Sequence, residues 1–361
     1  MQRLVITLTI ICAIGVLGEP FGWAGSGTIQ PSCTTPKKVQ GILTCADLAK
    51  AEREGSVVLY SPDIEMGTVA MLNAFHTAFP KIQTNYVRLQ TGALYAKITS
   101  ERAAGHYLAD AMIIGDQRLT MDFLKKGGYA QYVSPENAAY QPAFMSSPPG
   151  YFTWYALVIV TMTYNPKVTP AAEAPKTWKD VLNPRWKDGV SVKSLLAGSQ
   201  HLQWFELRRL YGDNFWKEFA ALNPRVFESV VQQLDRLAAG EDTLAFNTQY
   251  SGYLLYKAKG SPLEVIYPPE GLMTQPETLG VVSNAPHPEA AKLLVDWLLG
   301  RPGQESMMQA LYMNSARTDV PAPPGGRPTG ELKLLYPANW DEVFATTGEF
   351  QRVWNRLSGL Q

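Results

Sequence analysis

The chain predicts an α/β protein of two lobes, each a mostly parallel sheet flanked by helices, with a cleft between the lobes. Three observations carry this. From Ser56 to Lys126, short apolar runs alternate with helical patterns in the order β-α-β-α-β-α, which builds a parallel sheet with right-handed crossovers. The chain has 361 residues, beyond the ~250–300 that one core serves well. The β-rich run from Trp154 to Asn165 is too long for an ordinary strand and suits a segment crossing between lobes.

The elements follow in order. Ala46 to Glu54 reads as a short polar helix and Ser56-Val-Val-Leu-Tyr60 as a compact apolar strand. Val69, Leu72, Phe75, His76 and Phe79 recur at helical spacing, so a helix runs to Pro80. Ile82 to Leu89 is a second strand and Ala93 to Ala104 a second helix. Asp110 to Ile114 is a third strand, and the helix Leu119 to Lys126 stops at Gly127-Gly128. Beyond the crossing segment, Val190 to Ser194 is a strand, and Gly198-Ser199-Gln200 opens a helix through Leu210. Leu244 to Asn247 is a strand that gives way to a helix, a tight turn, another strand and a Pro-Glu-Gly exit ending at Gly271. Thr278 to Ser283 returns the chain toward the first lobe. Pro288 to Leu299 is an amphipathic helix, and a shorter one lies near Gln304 to Leu311.

The N-terminus indicates export. Met1-Gln-Arg3 is a basic start, Leu4 to Leu17 is almost unbroken apolar sequence, and cleavage near Ala24 would follow. The run is shorter than the roughly 20 apolar residues of a spanning helix. Cys12 inside it lacks the preceding small residue of a lipid anchor. The mature chain then keeps Cys33 and Cys45, which in an oxidising compartment form one structural disulfide worth ~3 kcal/mol. Neither lies in a C-x-x-C pattern, so redox catalysis and zinc binding have no support. Lys plus Arg and Asp plus Glu both number 32 without a basic block, which argues against nucleic acid or an anionic membrane surface as partner.

Four strand ends carry polar groups, where open α/β sheets bind ligands. The first offers Ser61 and Asp63, which either face the cleft or terminate the strand and cap the next helix. The second offers Asp116, to meet a cation or cap a helix, and Gln117. The third is Ala197-Gly-Ser-Gln-His201, in which Ser199, Gln200 and His201 open a helix whose unpaired N–H groups and dipole favour an anion. The fourth holds Asn247, Gln249 and Tyr250. Trp154 and Tyr155, at the crossing, are placed to wall a cleft. No G-x-S-x-G, H-E-x-x-H, G-x-x-x-x-G-K or G-x-G-x-x-G motif occurs, and no histidine pair has metal-ligand spacing, so the sequence reads as a non-enzyme.

The segment from Leu244 to Gly271 resembles the solute-binding proteins of ABC importers, in the family with ferric-iron, polyamine and phosphonate binders. Pro175-Lys-Thr-Trp-Lys-Asp-Val-Leu-Asn-Pro-Arg-Trp-Lys187 is similar to its P-x-x-W-x-D-L-x-x-P-x-W signature. The resemblance runs from about Ser56 to Leu357. It implies a type II periplasmic binding fold with signal peptide 1–24, N-terminal disulfide segment 25–55, lobe 1 at 56–154, lobe 2 at 155–275 and a returning segment 276–361. It also implies a periplasmic, monomeric carrier without a resident cofactor, which docks on an inner-membrane permease; a sensor subunit of the same fold is the further alternative. The expected cargo is a small anionic or zwitterionic organic solute, with ferric iron as the alternative. Ferric binders carry adjacent tyrosines at the turn where this chain has Tyr250, Ser251 and Gly252, with Tyr253 a turn away. Iron would then need Tyr155, Glu270 or a bound anion beside Tyr250, because the hard cation wants several converging anionic oxygens.

Overall fold

A computed structural model describes residues 22–23, 29–193, 198–227 and 229–358. Of the expected leader 1–24 only Gly22–Trp23 is described, paired antiparallel with Ser146–Ser147; the rest, with Cys12 and Ala24, lies outside the described residues, as do Ser194 and Ala197.

Lobe 1 grows from Ser56–Ser61, flanked in parallel by Gln83–Arg88 on one side and Ala111–Ile114 on the other. Ala111–Ile114 is buried throughout and Ser56–Ser61 mostly so, as strands under two helix layers must be, whereas the edge strand Gln83–Arg88 stays partly exposed. Val57 and Leu59 point into a core with Leu72, Phe75 and Trp297, and Tyr60 into a second core with Ile98, Met112 and Phe123. Lobe 2 repeats the pattern with Arg225–Phe227, Val190–Lys193 and Leu244–Gln249 in parallel. Its core is aromatic: Trp178, Trp204, Trp216, Phe246 and Trp354 lie within it.

Two strands belong to both lobes. Thr153–Tyr164 pairs antiparallel with Leu272–Val281 along most of its length and with Leu244–Gln249 at its end. Leu272–Val281 passes into lobe 1 by pairing Thr278–Val281 with Ala111–Ile114. The crossing segment is therefore as expected, but the return strand begins at Leu272 rather than Thr278. Pro276 hides this in the sequence, because proline is rarely a central-strand residue. Here it is tolerated: Leu272 and Met273 have Leu334 and Leu335 as second neighbours, Thr278 onward has lobe 1, and Thr274 to Glu277 span the gap.

The expected helices form with shifted ends, among them Glu65–Ala78, Thr91–Ala103, Gln117–Lys125, Ser199–Tyr211 and Pro288–Leu299. The C-terminal helices Trp340–Ala345 and Thr347–Ser358 were not foreseen. The first packs on Gln117–Lys125 of lobe 1 and on Ser199–Tyr211 of lobe 2, so it straps the two lobes together. Cys33 and Cys45 form the disulfide, with Cα atoms 5.6 Å apart. Beside it the Tyr132 hydroxyl accepts from the Cys45 N–H and donates to buried Asp296 at 2.6 Å, tying the N-terminal hairpin to Pro288–Leu299.

Candidate functional site

The strand ends of both lobes meet at Gln275, on the middle of the return strand. Its Nε2 donates to the Gly115 carbonyl of lobe 1. Its Oε1 lies 3.3 Å from where a Cβ on Gly198 of lobe 2 would stand. Gly198 has φ +64°, a conformation that side chains resist, so glycine both makes the turn and lets the lobes approach.

On the lobe-1 side, Ser61 and Asp63 are buried and bonded to each other, the Ser61 hydroxyl donating to Asp63 Oδ2 at 3.1 Å. The Tyr155 hydroxyl reaches the same Oδ2 at 3.4 Å from the crossing strand. Glu277, which the sequence reading missed, is the second carboxyl here and is in hydrogen-bond contact with Asp63. Burial, and then the charge of Asp63, push Glu277 well above the usual carboxylate range, and burial raises Asp63 as well. Two buried carboxyls in contact keep a proton between them, because both cannot ionise at that distance. Asp116 is spent on its own helix, its Oδ1 accepting from the Leu119 N–H at 3.0 Å. Gln117 is buried, with its Nε2 donating to the Pro276 carbonyl.

On the lobe-2 side, among the described residues no side chain caps the start of Ser199–Tyr211. The N–H groups of its first turn therefore have no intrahelical acceptor, and the positive end of the dipole is not neutralised locally. The Ser199 hydroxyl donates to Gln200 Oε1 at 3.2 Å, and Gln200 Nε2 to Asn247 Oδ1 at 2.8 Å. Asn247 in turn donates to Gln203, so this amide chain anchors the helix start to the strand end. His201 faces the C-terminal strap. The Thr346 hydroxyl donates to the Val343 carbonyl, so at 3.0 Å it accepts from His201 Nε2–H, which assigns the tautomer. Burial, with the charge of Arg118 adding to it, lowers His201 to about 4, and the ring is neutral at physiological pH.

Between the lobes lies a partly open cavity of ≈ 80 Å³. Asp116, Gln117 and Arg118 line it from lobe 1, Gly198, His201 and Leu202 from lobe 2, Gln275 from between, and Phe344, Thr347 and Gln351 from the strap. A larger groove of ≈ 430 Å³ lies on the outer face of lobe 2 between Trp204, Trp216 and Val353. No strand end opens into it, and its Arg208 is paired with Asp213 and Glu349.

Of the residues singled out in the sequence, Asp116, Gln117 and His201 line the cavity; Ser199, Gln200 and Asn247 stand directly behind it. Ser61, Asp63 and Tyr155 form the carboxyl cluster beside it. Gln249 is half-buried at the strand end opposite Val160. Three others are placed elsewhere. Trp154 stacks on Phe144 at 4.3 Å in the core. Glu270 accepts from Tyr211. The Tyr250 hydroxyl is within 2.9 Å of Tyr267 and accepts from the Arg327 N–H at 3.1 Å. Tyr253 stacks on Tyr250 at 6.0 Å, with its hydroxyl directed to Glu264. The oxygens of Tyr155, Tyr250, Tyr253 and Glu270 thus have separate partners, and among the described residues no cluster of three or more His, Cys, Asp or Glu stands ready for a metal. Gln275, Glu277 and the strap were missed because Pro276 masked the strand, and the strap reaches the cleft through packing with no local motif.

Two lobes joined by two shared strands, with uncommitted polar groups where they meet, define a two-lobed solute-binding protein. The chain belongs to the bacterial extracellular solute-binding protein family, which its residues 108–328 match. A relative from Synechocystis, Iron uptake protein A1, is 25% identical over 281 residues, covering 73% of this chain and 76% of the relative. An uncharacterized protein of Haemophilus influenzae is 31% identical over 138 residues, 37% of this chain and 40% of its own length. Among solved structures, iron-bound HitA from Pseudomonas aeruginosa has a TM-score of 0.70 at 20% identity, covering 84% of this chain and 99% of that one. AfuA from Actinobacillus pleuropneumoniae, with exogenous fructose-6-phosphate bound, has a TM-score of 0.67 at 21% identity, covering 85% and 99%. These likenesses establish the fold. No helix among the described residues is long and apolar enough to cross a membrane.

Proposed function

We propose that the protein is the substrate-binding component of an ABC importer, capturing a small anionic or zwitterionic organic solute between its lobes and delivering it to a membrane permease. The observation that carries the ligand class is the uncapped start of Ser199–Tyr211, which faces Gln275, Gln117 and Arg118 across the cavity. Unpaired N–H groups, the helix dipole and a guanidinium all favour negative charge. A solute held there touches both lobes and the strap at once, so its binding energy favours the closed arrangement over an open one. Asn247 acts through Gln200 by holding the helix start in place. Membership of an extracellular solute-binding family supports the carrier role outside the cytoplasm and argues against chemistry on the cargo.

Ferric iron is the second reading, favoured by relatives named for iron and by the stacked Tyr250 and Tyr253 at a strand-end turn. One substitution separates the two. Gln275→Glu is nearly isosteric and puts a carboxylate beside the helix start, so it should weaken an anion at least ~10-fold and strengthen a cation. The complementary measurement is a visible-absorption titration with ferric ion, with and without phosphate or citrate. A saturable phenolate-to-iron band lost in Tyr250→Phe would replace the organic-anion reading by iron.

A further inference from the structure

The C-terminal strap holds the two lobes unequally. Its second helix, Thr347–Ser358, is built into lobe 2, where Phe350 and Trp354 are fully buried in the aromatic core. Phe350 stacks on His201 at 4.7 Å, Trp354 meets Trp216 at 5.4 Å, and Glu349 accepts from Arg208 at 2.7 Å. The first helix, Trp340–Ala345, has two other holds. Trp340 meets Trp154 edge to face at 6.5 Å, on a strand that both lobes share, so this contact survives a change in the angle between them. Phe344 is half-buried and reaches the lobe-1 core around Tyr60, Met112 and Phe123. Among the described residues it is the one strap side chain packed on that core.

The two helices meet without a loop. Thr346 ends the first at φ −91° and ψ 0°. Its hydroxyl donates to the Val343 carbonyl at 2.7 Å, and the Thr347 hydroxyl to the Phe344 carbonyl at 2.7 Å. Side chains thus satisfy carbonyls of the last turn, which is where helical chains bend. Gly348 follows, exposed, and a Cβ there would meet only the Arg352 guanidinium, at 3.8 Å. Separating the lobes must free one end of the strap. Releasing Thr347–Ser358 exposes two fully buried aromatic rings, whereas releasing Trp340–Ala345 from lobe 1 exposes one half-buried ring, so the lobe-1 end yields. We propose that the strap is a latch: Thr347–Ser358 travels with lobe 2, the joint at Thr346–Gly348 bends, and Phe344 leaves lobe 1 as the cleft opens. Phe344 and Thr347 line the cavity, so the latch that opens is also a wall of the solute site.

Distances between spin labels in the mature protein test this without any cargo, and so independently of which solute is carried. Lys81→Cys in lobe 1, Glu218→Cys in lobe 2 and Arg352→Cys on the strap are exposed positions, labelled two at a time, and Cys33 and Cys45 are held in their disulfide. In Phe344→Ala the distances from 81 to 218 and from 81 to 352 should lengthen together, with the ratio of separated to closed molecules up at least ~10-fold. The distance from 218 to 352 should stay single and unchanged. Phe344→Leu keeps apolar bulk and should give a smaller shift of the same sign, and it decides alone if the alanine variant fails to fold. No lengthening in either variant overturns Phe344 as the latch. A change between 218 and 352 would mean that Thr347–Ser358 leaves lobe 2, and would overturn the bend at Thr346–Gly348.

Discussion

The two helices that open toward the cleft, Gln117–Lys125 of lobe 1 and Ser199–Tyr211 of lobe 2, occupy equivalent places and start differently. Each follows a parallel strand and begins at the junction around Gln275. The lobe-1 helix is closed by its own residue, Asp116, whose carboxylate takes a first-turn N–H and offsets the dipole. The lobe-2 helix begins with Gly198, which has no side chain to give. Location at a strand end is thus not enough to make a binding site; what matters is whether the protein has already satisfied the exposed groups itself. The same contrast runs through the neighbouring residues, with a buried carboxyl pair on the lobe-1 side and neutral amides on the lobe-2 side.

The largest change is expected from breaking the acid side of this contrast. Glu277 and Asp63 hold a proton that the unfolded chain releases in the ordinary carboxylate range. The folded state then binds more protons than the unfolded one, so stability falls as pH rises above that range. Glu277→Gln should flatten the fall, measured as urea midpoints from about pH 5 to about pH 8. Asp296, pushed by burial to about 7, contributes the same slope to both proteins, so the difference between them is the test. An unchanged difference across that range would mean the pair keeps no proton.

On the lobe-2 side the sign reverses. His201 is neutral in the folded protein down to about 4, whereas its ordinary value is 6.5. The unfolded chain gains the proton first as pH falls, so stability drops between those values by at most ~3 kcal/mol. His201→Gln should lose this acid limb in a denaturation series, and the same drop in the variant would assign it to other groups. Gly198→Ala should cost ~1–3 kcal/mol from the backbone conformation and weaken anion binding, since its Cβ would crowd Gln275. Full stability with intact binding would show that the turn relaxes freely. The smallest effect belongs to the capped helix: Asp116→Ala should lose about 1 kcal/mol of stability by thermal denaturation without weakening anion affinity. A large loss of affinity there would make Asp116 a ligand contact rather than a cap.

Much of this was legible before folding. The β-α order, the crossing segment, the disulfide and the Gly198-Ser199-Gln200 helix start are local patterns, set by periodicity, by the special backbone freedom of glycine and by the pairing of two cysteines. Asp116 also carried its meaning locally, because a cap bonds to an N–H three residues on.

What the tertiary structure decided is everything that depends on two distant segments meeting. Gln275 and Glu277, beside Pro276, belong to no element that the sequence predicts, and only the meeting of two lobes places that proline in the gap between them. Tyr250 sits at the expected turn, yet its hydroxyl is held by Tyr267 and by the Arg327 backbone, 77 residues away. The C-terminal strap carries no motif, and its role follows from packing across Gln117–Lys125 and Ser199–Tyr211. Periodicity and capping act over a few residues and are written in the sequence itself. Hydrogen bonds and packing between remote segments depend on the whole chain path, and so they decided which polar groups were consumed by the fold and which were left for a solute.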